Sequence, residues 1–451
     1  MTTINVNLRM ILQSLVGLML FGLFFRAIAG SIYGLFEFLS ILIIIALSLF
    51  YYVEKHKISS LNLSASLYLF FIAYLLTNVF VTAIVRSIEY NVEFYSFMLA
   101  GLYEFKIASA AFIFPFLFFV INRNNQIRFE SFLLILLKIS IIYTIIEQIL
   151  SLAGFRDLFL AIVDLALPNT VVSPYATRLG LYRVFGVVGG PHILGLLHIV
   201  GLLYLAKYQN KGWAMLAFIA VIFSTSITAY AVLAVLYFLY LIYTKKYLSI
   251  TSYVLILTTL LVAMYLRYDY LMSINITSYD EYDRLSSLDN LLINISGYFT
   301  LIQGEIDPVT YKITQTGPLS KIILLFTSRP ELIFFGKGTT YNLTPEHFNI
   351  INIHNYQIFI TDFKRMSGDF YILNFSEQYG LVGLILKAFI FLIIPLFKLT
   401  KDNIHHILIL NSFIISTGHY NPAEYLYFMI FVAYSLYIIY FMQSYNNEEN
   451  Y

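Results

Sequence analysis

The residue types best suited to chemistry gather in three places. In the first, Arg178, Gly180 and Arg183 lead through Val184, Phe185 and Gly186 to Gly189, Gly190, Pro191, His192 and Gly195. Guanidinium groups stay charged at any relevant pH and hold phosphate oxygens in a bidentate fork, so two of them entering an apolar run suit a phosphate ligand. The glycines and proline loosen the backbone at membrane depth, which is tolerated only where that backbone is buried in protein or lines a cavity. The plainer alternative makes both arginines interfacial anchors and the glycines contact points between helices. The second place holds Arg284, then Arg329, Pro330 and Glu331, then Phe335, Gly336, Lys337 and Gly338. A second cation facing the first would suit a diphosphate, whose charge grows as its bond to a sugar breaks. Taken singly, each of these residues also reads as a solvated loop charge. In the third, Asp369 and Glu377 stand eight residues apart, near one helical face, where a polar stretch re-enters an apolar run. A carboxylate there would accept a proton from a hydroxyl, or Asp369 would cap a helix and Glu377 pair with a loop cation.

Other charges sit inside apolar runs: Glu104, Lys106, Lys138 and Glu147. Charge in hydrocarbon is costly, so these read as interhelical pairs, with a transport path as the alternative. His192, His347 and His354 are isolated in sequence and are candidate proton carriers or structural residues. No spaced histidine cluster argues for zinc and no glycine-rich nucleotide loop is present, so neither a metal nor a cofactor is expected.

Twelve apolar runs must position these residues, beginning near Met10, Ile32, Ser64, Phe94, Ser131, Val184, Gly212, Ile227, Leu248, Phe370, Asn403 and Ala423. Each approaches the roughly 20 residues that cross a bilayer as a helix. Ser224, Thr225 and Ser226 leave the seventh and eighth runs short. Helices 1 to 9 would occupy residues 1–266, with a smaller periplasmic loop near 154–183. A large periplasmic loop would fill 267–369, and helices 10 to 12 with a cytoplasmic tail 370–451. The large loop is too long for a simple connector and keeps apolar stretches, so it should fold onto the bundle. The segment from Leu158 to Leu167 reads as a short helix on the membrane face.

Composition agrees. Of 451 residues 60% are apolar and 12% charged, and the mean hydropathy is +0.79, which a water-soluble globule could not sustain. The continuous runs argue for an all-α polytopic membrane protein of about 12 transmembrane helices rather than a β-barrel. A net charge of +2 with dispersed basic residues argues against nucleic acid. The absence of cysteine excludes disulfides and thiolate chemistry.

Basic residues favour one set of connections (Arg9, Lys55, Lys57, Arg123, Arg128, Lys207, Lys211, Lys245, Lys246, Lys398, Lys401) over the other (Arg26, Arg86, Arg156, Arg178, Arg183). The positive-inside rule then puts both termini in the cytoplasm and the large loop outside. Arg9, an apolar run and Ala27 to Ala29 mimic a cleavable signal, but Arg26 sits where a cleavage region is usually uncharged.

Taken together, the region from Leu158 to Lys398 resembles the Wzy-type O-antigen polymerases and the related O-antigen ligases of Gram-negative inner membranes. The likeness rests on Arg183 to Gly186 with Pro191 and Gly195, the Ser224 to Ser226 turn and Arg284 at the start of the large loop. Phe335 to Gly338 and Glu377 to Gly383 complete it. The ten residues between Arg178 and Gly189 also match an arginine motif of some such polymerases; a counterpart in the long loop is not evident. The resemblance implies a GT-C-like, metal-independent glycosyltransferase of the inner (cytoplasmic) membrane, with undecaprenyl-diphosphate-linked oligosaccharide as substrate and lipid as its surroundings. A polysaccharide chain-length regulator is a further candidate partner. By the same resemblance Arg183 and Arg284 bind the donor diphosphate, with Arg178 and Arg329 as further candidates. His192 and Glu377 are candidate substrate-binding residues and Asp369 is a candidate base. Ligases tend to carry a His-Asn pair before the re-entering helix; here Ser367, Gly368 and Asp369 stand instead, which favours polymerase over ligase. A lipid-linked oligosaccharide flippase or other transporter, or a noncatalytic scaffold for polysaccharide export, are the other classes open to this chain.

Overall fold

In a bilayer, apolar side chains can face outward as well as inward, while polar ones must find partners inside. The computed structural model describes residues 63–90, 94–95, 97–99, 101–102, 129–166, 177–178, 180–188, 190–207, 210–273, 322–323, 325–327, 329–338, 371–418 and 426–440. The runs expected near Met10 and Ile32, most of that near Phe94, and Glu104, Lys106, Arg284, His347, His354 and Asp369 lie outside the described residues.

The described residues are predominantly helical, and among them four helical stretches are long and apolar enough to cross a membrane: Ser66–Ile88, Ser131–Ala161, Tyr247–Arg267 and Tyr371–Phe397. In α1 (Leu63–Tyr90) the buried residues Tyr68, Phe71, Leu75, Asn78, Val79 and Arg86 recur at helical spacing. Phe70, Leu76, Phe80, Ile84 and Ile88 cover the exposed side. In α2 (Phe129–Leu150) the buried stripe turns polar along the helix, from Leu133, Leu136 and Leu137 to Ser140, Thr144, Glu147 and Gln148. Isoleucines 135, 139, 142, 146 and 149 face outward. A π-helical turn at Ser151–Phe155, with Gly154 outside helical geometry, bends the chain into α3 (Arg156–Ala166).

β1 (Thr177–Arg178) pairs antiparallel with β2 (Leu181–Tyr182), with Thr177 opposite Tyr182 and Arg178 opposite Leu181. A 3₁₀ turn at Gly186–Val188 then leads to α4 (Pro191–Lys207). The helix expected from Val184 therefore starts seven residues later, because the intervening backbone is captured by other partners.

α4 is buried around most of its circumference and forms the centre of the apolar core with α1, α2, α9 (Tyr371–Ala388), α11 (Ile404–Ser416) and α12 (Leu426–Tyr440). Tyr204 of α4 packs against His405, His406 and Phe431, ring centroids 5.8, 5.7 and 5.9 Å away. Between α4 and α9 the chain forms α5 (Lys211–Phe223), α6 (Ile227–Tyr243), α7 (Tyr247–Ser273) and the short α8 (Leu332–Phe335). α5, with 13 residues, is about 20 Å long and cannot cross the roughly 30 Å of hydrocarbon alone. It turns back at the buried Ser224 to Ser226, where the Ser226 hydroxyl accepts from Ala229 N (3.2 Å) and caps α6. α7 docks through Tyr253, whose ring stacks on Phe238 (5.7 Å) and whose hydroxyl donates to Ala234 O (2.7 Å). α9 continues through a π-helical turn, Phe389–Ile393, into α10 (Ile394–Phe397).

Candidate functional site

Two polar constructions are buried among these apolar helices. The first is assembled on the polar end of the α2 stripe. Glu147, 1% exposed, accepts from Arg156 Nη1 (3.0 Å), from Phe185 N (3.0 Å) and, through its second oxygen, from Gly186 N (2.8 Å). The bend after Leu150 is what brings Arg156 back beside Glu147. Arg156 in turn donates to Arg183 O (2.6 Å) and lies over the rings of Tyr182 and Phe185, 5.5 and 5.2 Å from their centroids. A carboxylate that accepts one charge-assisted and two backbone hydrogen bonds is well compensated for burial, and removing either charge would strand the other. Gln148, with its amide nitrogen turned to Tyr182 O, pairs with both backbone groups of Tyr182 at 3.0 and 3.1 Å and ties the hairpin to α2.

That clamp fixes the backbone from Tyr182 to Gly186 and with it the half-buried Arg183, whose Nη2 lies 3.3 Å from His192 Nε2 at the start of α4. For the guanidinium to donate, Nε2 must carry the lone pair, which puts the imidazole proton on Nδ1. Arg178 lies in β1 on the same hairpin, five residues before Arg183.

The second construction interlocks two glycine-containing segments far apart in sequence. At Gly336 (φ +67°) and Gly380 (φ +74°) the backbone takes a conformation that side chains rarely tolerate, and each glycine lies against the other segment's backbone. A Cβ on Gly336 would stand 2.5 Å from Glu377 O, and one on Gly380 2.5 Å from Ile333 O. Gly380 breaks the helical pattern inside α9, and the carbonyls freed there are taken up: Lys337 N donates to Glu377 O (2.7 Å) and Gly338 N to Gln378 O (3.2 Å). From α1, Asn78 Nδ2 donates to Phe335 O (2.6 Å), Arg86 Nε donates to Lys337 O (3.0 Å), and the Tyr74 hydroxyl lies within hydrogen-bond reach of Phe334 O and Tyr379 O. These α1 residues belong to the stretch Ser66–Ile88, so loop backbone is held at membrane depth with its polar groups satisfied by protein, as hydrocarbon requires. Inside the lock Lys337 Nζ and Glu377 Oε1 are 3.2 Å apart, with side chains 5% and 0% exposed.

Of the residues singled out from sequence, Arg183 and His192 come together, and Glu377 meets the loop cation Lys337. Arg329 instead pairs with Glu331 (2.9 Å) in a solvent-facing bridge, and that hydrogen bond holds the Glu331 carboxyl below its usual pKa. Of the charges inside apolar runs singled out from sequence, Glu147 pairs with Arg156 and Lys138 lies over the Trp213 ring, 5.0 Å from its centroid. Arg86 and Arg156, counted by sequence among outer-connection charges, are both buried. Among the described residues no three His, Asp or Glu side chains are grouped to hold a metal ion.

No family model, curated protein or solved structure matches the chain. A guanidinium beside an imidazole, on backbone fixed by a buried ion pair, is preorganised to receive an anionic group bearing hydrogen-bond acceptors.

Proposed function

We propose that the chain polymerises undecaprenyl-diphosphate-linked oligosaccharide repeat units at the periplasmic face of a bacterial inner membrane. The observation that carries this reading is the Arg183–His192 pair, 3.3 Å apart and anchored through Arg183 O to the buried Arg156–Glu147 bridge. In this reading the donor's lipid tail stays in the bilayer and its diphosphate meets Arg183, with Arg284 as the second cation. An acceptor-sugar oxygen attacks the anomeric carbon, and the bond from that carbon to the diphosphate oxygen breaks. Its electron pair leaves with undecaprenyl diphosphate, whose growing charge the guanidinium groups stabilise. The hydroxyl proton passes to a base, for which Asp369, two residues before α9, is the candidate. His192, as the lone-pair partner of Arg183, orients the guanidinium.

Purified protein given a synthetic undecaprenyl-diphosphate repeat unit should produce a glycan ladder. Arg183→Ala and Arg284→Ala, once shown to fold, should abolish it. Absence of a ladder with the correct repeat unit would sink the proposal. A flippase draws support from the buried Lys337–Glu377 pair within the helices; movement of the lipid across liposomes without a ladder would favour it.

A further inference from the structure

Gly380 divides α9 into an arm that begins at Tyr371 and an arm that ends at Ala388. Lys387 stands on the second arm, 12 and 16 positions after Phe375 and Tyr371 of the first. In a straight helix those separations would be about 18 and 24 Å along the axis, beyond the reach of a lysine side chain. Yet Lys387 Nζ lies 4.1 Å from the centroid of the Phe375 ring and 4.8 Å from that of Tyr371. The two arms therefore fold back on one another at Gly380. A third ring, Phe413 of α11, lies 5.2 Å from the same ammonium. Ile372 N donates to Thr417 O, just beyond α11, at 2.8 Å.

Lys387 is 3% exposed and sits inside the apolar stretch Tyr371–Phe397. Among the described residues its ammonium has neither a hydrogen-bond acceptor nor a carboxylate partner, and no charged group acts on it electrostatically. The charged and titratable groups on the packed elements are engaged elsewhere. Glu377 of α9 pairs with Lys337, and Glu331, beside α8, pairs with Arg329. On α1, Arg86 donates to Lys337 O and the Tyr74 hydroxyl is held by Phe334 O and Tyr379 O. The π-helical turn Phe389–Ile393 carries no titratable residue, and α11 carries only His405 and His406. Both stand about two turns from Phe413.

An ionisable residue kept inside a span without a partner marks a function, because an apolar side chain would pack there at less cost. The ligand that suits an isolated amine among ring faces is a proton, which needs no cavity. Three ring faces favour the ammonium and burial opposes it, so the two charge states are set against each other by the packing itself. We propose that Lys387 is a proton-binding site that clasps the two arms of α9. Protonated, it holds the rings of Tyr371, Phe375 and Phe413 together; as the neutral amine it releases the arm that begins at Tyr371. That arm carries Glu377 and Gln378, whose carbonyls hold Lys337 and Gly338, so the proton state is passed to the returning loop. The site is separate from Arg183 and does not depend on the glycan reading.

The test uses the full chain in phosphatidylcholine nanodiscs with the single replacement Phe375→4-fluorophenylalanine, whose ring faces the amine. Its fluorine resonance should titrate as one proton between about pH 5 and pH 10. The titration should vanish in Lys387→Met, which is apolar and of similar length, and in Lys387→Arg, which stays charged throughout. Hydrogen exchange in the 371–379 segment, corrected for its chemical pH dependence, should rise at least about fivefold on the alkaline side of that titration. No such rise should occur in Lys387→Arg. The wild-type titration needs no variant, so the test stands if either replacement fails to fold. An absent titration, one that survives Lys387→Met, or exchange that does not follow it overturns the proposal.

Discussion

Replacing Gly380 by alanine tests the interlock between the returning loop and α9. Gly380 has φ +74° and ψ 172°, a region essentially confined to glycine, where another residue costs about 1–3 kcal/mol. The added methyl would also lie 2.5 Å from Ile333 O and 2.8 Å from the carbonyl carbon of Phe334. Both are backbone atoms, so no side-chain rotation relieves the clash and residues 332–338 must shift. Shifting them weakens Lys337 N to Glu377 O and Gly338 N to Gln378 O, at about 1 kcal/mol each. The expected loss is therefore about 3–5 kcal/mol. Thermal unfolding of the full chain in detergent should show a large fall in midpoint, with new protease cleavage within 329–338 of the still-folded protein. Gly212→Ala is the control, since a Cβ there meets nothing within 4 Å at the start of α5; it should be neutral or slightly stabilising. If Gly380→Ala melts alongside Gly212→Ala and gains no cleavage site, the two segments do not interlock as described.

Three further outcomes are expected. Glu147→Leu should destabilise by about 3–5 kcal/mol because the buried Arg156 loses its carboxylate, whereas Glu147→Leu with Arg156→Leu should recover much of that loss; a double-mutant cycle of unfolding midpoints reads the coupling. Asn78→Leu leaves Phe335 O without its donor, at about 1–3 kcal/mol, and should expose residues 329–338 to protease before the helices unfold. The third concerns pH: Glu331 has a folded pKa below its unfolded one because Arg329 hydrogen-bonds to it. Its contribution is fully present above the unfolded pKa and lost as pH falls through the folded one. Because the pair is solvent-exposed the effect is small, and Glu331→Gln should shrink the acid-side fall in midpoint slightly; an unchanged acid limb would contradict the pairing.

Run length alone located the long apolar helices found among the described residues, because bilayer thickness sets how many apolar residues a span needs and that is a local property of the chain. The continuity of the runs likewise pointed to helices rather than a barrel, and the types of Arg183, His192 and Glu377 marked them as candidates before any partner was known. The polar stripe of Ser140, Thr144, Glu147 and Gln148 at helical spacing was also present in the sequence as a sign of an inward face. What that face would grip was not. Val184 to Val188 reads as apolar and continuous with the next helix, yet Glu147 captures Phe185 N and Gly186 N from 38 and 39 residues away and holds that backbone out of the helix. Counting charge along the chain could not separate Arg86 and Arg156 from interfacial anchors, since a buried ion pair and a snorkelling side chain look alike in one dimension. Only the tertiary structure decided that Phe335 to Gly338 would dock on Glu377 to Gly380. Each segment needs its glycine because the other's backbone fills the space a side chain would occupy, and that close approach exists only once the helices have packed.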